Sequence, residues 1–317
     1  MHEWGWMVAI YLFLGGLGAG ALVVAALFEL TGKRYDFDFC ASTLVGATIP
    51  GPVVAAGTVL LIFDLGAGLR EPLRIPYMFI HLSSVMTWGV WILTLFIPLS
   101  FLYGFLEVAD TYPSVWSSVT GRVKVLSRLP LRPVKKILAA VGGILAISVA
   151  VYTGVLISAV GPAVPFWSTP VLPFINIPTL PLLFLVSALS TGVGLTVDFA
   201  ATLSVPDMSR RIKGLPLIHL AMIGVETLLL GLLLISAFLS GGAAAQSARE
   251  IVVGVHSLVF WLLIIIPGFI FPFVVHAYAV GLGGHSALSG LGSGIGIVIG
   301  GLFLRYLIIV SGIHTFL

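Results

Sequence analysis

WMVAIYLFLGGLGAGALVVAALFEL, residues Trp6–Leu30, carries no charge before Glu29. About 20 mainly apolar residues suffice for a helix to cross hydrocarbon, so this run reads as a membrane span. It is not a signal peptide: Met1-His2-Glu3-Trp4 lacks a basic region, and the run exceeds an apolar signal core of about 7–15 residues. The whole chain repeats the pattern. Its 317 residues are 59% hydrophobic and 9% charged, with a mean hydropathy of +1.17, against about 25% charged residues in ordinary globular domains. Lipid is therefore the main solvent, and only helices or a closed barrel satisfy a backbone there. A single cysteine, Cys40, excludes an internal disulfide and any site built on several cysteines. Asn176 and Gln246 are the only side-chain amides, a scarcity that points to a high-temperature source.

Working outward from the first run, apolar stretches recur at about 42–65, 79–105, 137–160, 178–204, 215–240, 251–280 and 292–316. Together they predict a single all-α transmembrane domain, residues 1–317, with eight spans. Proline-rich 161–181 reads as connector, because prolines break helices. Lysine and arginine are asymmetric. Lys33, Arg34, Arg122, Lys124, Arg128, Arg132, Lys135, Lys136, Arg210, Arg211 and Lys213 follow spans one, three and five, whereas only Arg70, Arg74 and Arg249 fall on the other side. The positive-inside rule places the first group in the cytoplasm and both termini outside. The net charge of +3 thus reads as a topology signal, with no nucleic-acid partner. Gly15–Gly20, GGLGAG, sits mid-helix without a preceding strand, so it is no nucleotide fingerprint; Gly16 and Gly20 form a pair that lets helices approach closely.

Charges inside a bilayer cost roughly 2.5–3.5 kcal/mol on insertion scales, so the polar residues within spans carry the functional reading. Asp64 ends span two, either as an interfacial helix-end residue or as a proton acceptor near an outer site. Glu226 and Arg305 lie near mid-span and read as an ion pair, a proton relay, or both. His219 shares a face with Glu226, about 10 Å along the same helix. Asp198 joins Ser187, Thr191 and Thr202 in a polar stripe near the cytoplasmic end. Glu29 follows Tyr11 by about five turns on one face, as relay ends or as ordinary interface residues. A bis-histidine haem needs imidazoles on opposite sides of one iron. His81, His219, His256 and His276 offer no well-matched pair by position, so neither haem nor metal is expected.

Local motifs narrow the class. Tyr11–Leu27 reads YLFLGGLGAGALVVAAL; Leu60–Gly66 reads LLIFDLG; Arg70–Trp91 reads REPLRIPYMFIHLSSVMTWGVW. VYTGVLIS (Val151–Ser158), PFW (Pro165–Trp167), LPLLFLVSALSTG (Leu180–Gly192) and GGLFLRYLIIVSG (Gly300–Gly312) follow in order. Taken together over nearly the whole chain, the set resembles the NrfD/polysulfide reductase membrane-subunit family. The extra Ala67-Gly68-Leu69, Glu71, Val85 and Thr87 depart mildly from its second-to-third-helix motif.

The resemblance implies two four-helix bundles without metal or haem. It also implies a pocket for a menaquinone-type or other quinone on the outward side, beside a four-cluster iron–sulfur subunit and a molybdopterin catalytic subunit. Tyr152 takes the position of the family tyrosine that bonds a quinone carbonyl, and Tyr11 a position held by histidine in some members. Asp64 matches the acid near that pocket and Glu226 the acid of the sixth helix. By the charge-derived topology Tyr11, Asp64, His81 and Tyr152 all fall in the outward half. The expected function is a quinone-binding anchor of a respiratory oxidoreductase complex, with Glu226, Asp198, Glu29, Arg305 and His219 as proton-relay candidates. A secondary transporter or proton-conducting protein is the rival class, but transporters build midplane sites from repeats, and no convincing repeat is visible.

Overall fold

A computed structural model describes residues 5–64, 77–122, 130–172, 175–202, 214–282 and 286–315. Eight helices in it are long and apolar enough to cross a membrane: α1 Trp6–Leu30, α2 Phe39–Asp64, α3 Val85–Thr111, α4 Leu131–Ser158, α5 Thr179–Ala200, α6 Leu215–Ser240, α7 Ser257–Gly281 and α8 Ala287–Val310. Four differ from the sequence expectation for identifiable reasons. The fourth starts at Leu131 rather than near 137, because Lys135 is buried against Glu29, Glu107 and Asp110. The third starts six residues later, after an extended Ser84. It also runs on to Thr111, because Glu107 is buried against basic side chains rather than solvated. The eighth starts earlier, where the Ser286 side chain caps it by accepting from the Ser289 amide at 3.2 Å. Residues 251–252 belong instead to a separate short helix, Gly242–Val252, entered through Gly241 at φ 71°, a conformation that favours glycine. The connector after α4 is not purely irregular: β1 (Pro170–Leu172) and β2 (Ile175–Pro178) pair antiparallel.

Helix α1 is the most enclosed span and packs on α2, α4, α5 and α8. Its small residues make that possible. A Cβ on Gly192 of α5 would stand 2.5 Å from the Ala21 amide nitrogen, so the two backbones meet as small-residue crossings do. Gly268 of α7 and Gly300 of α8 repeat the device, with a Cβ on Gly268 only 3.0 Å from the Gly300 Cα. Large apolar side chains such as Leu228, Leu239, Leu258 and Phe273 face outward, as lipid rather than water requires.

The two ends of the bundle differ. At one, Trp6 stacks on Tyr306 at 3.8 Å, the Trp167 indole donates to the Ile308 carbonyl at 2.7 Å, and the Thr315 hydroxyl donates to the Pro162 carbonyl at 2.8 Å. Chain start, connector and C-terminal residues therefore share it. Arg34, Glu107, Asp110 and Lys135 occupy the opposite, basic end.

Candidate functional site

Helices α2, α3 and α4, with the turn before α3, enclose an apolar cavity of about 290 Å³. Thr58, Leu61, Met78, Met86, Val90 and Thr94 line much of it, and Tyr152 supplies its phenol. Local sequence explains the shape. Gly89 leaves the room that the Tyr152 ring fills, since a Cβ there would overlap the ring. Pro98 lacks the amide that would bond the Thr94 carbonyl, so that acceptor loses its intrahelical donor beside the cavity. Tyr11 of α1 and Tyr152 of α4 stand on two helices that pack together. Tyr11 is 1% exposed, and its hydroxyl has no hydrogen-bond partner among the described residues. Asp64 is half-buried, less than a turn beyond Ile62 of the wall. His81 is exposed on the turn joining the lining residues Phe79 and Met86, and does not itself line the cavity.

A second polar group sits mid-bundle. Arg305 is fully buried; its Nη1 donates to Ser187 Oγ at 3.1 Å and to the Gly301 carbonyl at 2.9 Å, and Phe184 lies 5.2 Å from its guanidinium carbon. Gly16, a helix-packing glycine by sequence, instead makes room for this side chain. Glu226 does not pair directly with Arg305 within 4 Å among the described residues. Ser187, which accepts from Arg305, and Ser190 both lie beside its carboxyl, so Ser187 stands between acid and base.

The third group brings together two histidines that position along the spans left apart. His219 of α6 and His276 of α7 meet with Nδ1 and Nε2 2.9 Å apart. Both converge on Asp198 Oδ2, at 3.2 and 3.5 Å, and Ser293 Oγ of α8 lies 3.1 Å from His276 Nε2. Asp198 reaches them from a π-helical stretch, Gly194–Ala201, of the kind that often marks functional sites. Asp198 keeps the face expected with Ser187 and Thr191: a Cβ on Gly301 would meet Thr191, and one on Gly294, two turns earlier, would meet Asp198, while the Thr191 hydroxyl bonds back to the Ser187 carbonyl at 2.8 Å. The imidazoles touch edge to face with centroids 4.3 Å apart, leaving no room for a porphyrin between them.

The fourth lies at the basic end. Lys135 Nζ is 3.2 Å from Glu29, 2.6 Å from Glu107 and 2.7 Å from Asp110, and Arg34 pairs with Glu107 and bonds Thr111 at 2.7 Å. Burial works against the Arg34 charge, but Glu107, Cys40, Asp110 and Glu29 outweigh it and hold the guanidinium above its ordinary pKa. By sequence Arg34 and Lys135 are loop charges, and Glu107 and Asp110 stand out in no way. The signal present is an acid at i and i+3 closing an apolar run, with a lysine opening the next.

The architecture is that of a multi-pass helical membrane protein with an apolar cavity between spans and paired polar groups inside them. Residues 2–317 match the family model described as polysulphide reductase, NrfD. The chain belongs to that family of membrane subunits. It is 30% identical to the C subunit of polysulfide reductase from Wolinella succinogenes, over 98% of this chain and 94% of that protein. It is 32% identical to protein NrfD of Escherichia coli over 61% of this chain and 58% of that one. Against a protein NrfD homolog of Haemophilus influenzae the figures are 25% identity, 87% and 83%.

Proposed function

We propose that this chain is the quinone- or quinol-binding membrane anchor of a respiratory oxidoreductase complex. It passes electrons between a menaquinone-type or similar quinone and an extracytoplasmic iron–sulfur subunit, with a molybdopterin subunit carrying the terminal chemistry. The observation that carries this reading is the apolar cavity walled by Tyr152. A quinone needs an apolar slot for ring and tail, together with donors for its carbonyl oxygens, which gain negative charge on reduction. Tyr152 and the unbonded Tyr11 hydroxyl are such donors, Asp64 is the nearby acid, and exposed His81 exchanges protons with water. No resident metal or haem takes part in this step.

The anchor has both termini and the partner subunits on the outer side, and the chain divides into bundles α1–α4 and α5–α8. Glu226, Arg305, His219, Asp198 and Glu29 form the candidate proton route toward the basic, cytoplasmic end. The test is photolabelling of the purified full chain with an azidoquinone. Adducts on Met86, Val90 or Tyr152, displaced by unlabelled naphthoquinol, are expected; labelling confined to lipid-facing α6 or α7 would overturn the assignment.

A further inference from the structure

The Asp198–His219–His276 group is set apart by convergence. In an ordinary hydrogen-bonded chain each polar atom faces the next. Here three ligand atoms from three helices face one another: His219 Nδ1, His276 Nε2 and Asp198 Oδ2, with edges of 2.9, 3.2 and 3.5 Å. Hydrogen bonds alone do not account for this triangle. Each imidazole nitrogen there carries either one proton or one lone pair, so the protons available cannot satisfy all three edges and the Ser293 contact together.

The triangle has a centre about 1.9 Å from each atom, and zinc holds nitrogen and carboxylate oxygen at about 2.0–2.2 Å. A cation slightly out of the plane would reach all three at ordinary bond lengths. Ser293 Oγ, 3.1 Å from His276 Nε2, supplies an oxygen beside the same centre. All four residues are 3% exposed or less, and the ligand atoms lie within 4.8 Å of one another. Two imidazoles and a carboxylate select borderline first-row metals over the hard cations magnesium and calcium, which prefer oxygen ligands throughout.

We infer that Asp198, His219 and His276, with Ser293 beside them, form a divalent-metal site of zinc type in the second half of the molecule, apart from the Tyr152 cavity. The ligands come from α5, α6 and α7, so an ion there ties together three spans. It also deepens the proton-route reading of Asp198 and His219: metal and proton compete for the same lone pairs, so a loaded site is closed to proton transfer. The sequence concealed it, because the ligands are 21 and 57 residues apart along the chain and show no ligand-spacing motif.

The test uses the full chain purified in detergent, stripped with a chelator and then dialysed against zinc, cobalt or magnesium. Expected are one zinc per chain after removal of free ion, proton release on zinc addition, and visible ligand-field absorption of tetrahedral type with cobalt. Zinc X-ray absorption should show two imidazoles at about 2.0–2.1 Å. Asp198→Asn and His219→Gln should each weaken zinc retention at least about tenfold, the smallest loss expected even for an outer-shell partner. His256→Gln, outside the group, should leave it unchanged. Absence of stoichiometric zinc in the folded wild-type chain overturns the site, as does preferential magnesium retention or uptake that survives both ligand variants. Should a variant fail to fold, the wild-type absorption spectrum alone decides between two imidazoles and none. Quinone plays no part in these measurements, so their failure leaves the Tyr152 reading standing.

Discussion

The basic end of α1, α3 and α4 and the polar centre of α5–α8 both bury ionisable groups, yet they are built from different chemistry. The first sets three carboxylates, Glu29, Glu107 and Asp110, around Arg34 and Lys135. Its acids and bases pair with one another, and it acts as a clamp between spans. The second sets one carboxylate against two imidazoles, the side chains whose protonation and metal affinity change most readily near neutral pH. Permanent charges fix geometry, whereas adjustable ones are suited to binding and transfer. The difference suits the first region to structural work, with Glu29 also the cytoplasmic terminus of the proposed proton route, and the second to binding and transfer.

Breaking the clamp should have the largest effect. Lys135→Met leaves Glu29 and Glu107 buried without their shared cation, and removing one partner of such a group costs about 3–5 kcal/mol. Thermal unfolding in detergent should show it, and adding Glu107→Gln and Glu29→Gln should recover part of the loss. Next comes Gly89→Ala, whose methyl meets the Tyr152 ring. Overpacking of this kind costs about 1–3 kcal/mol, and the displaced phenol should weaken quinone binding in titration. Asp198→Asn should be milder in stability, about 1 kcal/mol, because the amide keeps its size and can still hydrogen-bond with the imidazoles; the same unfolding assay places it against Lys135→Met. If it destabilises as much as Lys135→Met does, the contrast between the regions fails. His81→Ala, at an exposed turn, should change stability by no more than about 0.5 kcal/mol.

The spans were legible because apolar length alone determines them: Trp6–Leu30 and Leu215–Ser240 coincide with the expected limits. Ends were less legible where charges entered a helix, as at Glu107 and Lys135, since hydropathy cannot distinguish a solvated acid from a neutralised one. Tyr152 was reachable through its motif, and Tyr11 through its place in the first span. His276 was not paired with His219, because depth along separate spans says little about which helices touch. The π-helical stretch around Asp198 left no recognisable mark in the sequence.

Whether the Tyr152 phenol holds a quinone carbonyl in the apolar cavity is decided by quinone titration of the wild-type complex against Tyr152→Phe. The loss of one net hydrogen bond predicts up to roughly tenfold weaker binding, with the cavity and the assembled complex intact and with Tyr103→Phe, which does not line the cavity, unaffected. Equal affinity in wild type and Tyr152→Phe would show that the phenol does not hold the quinone.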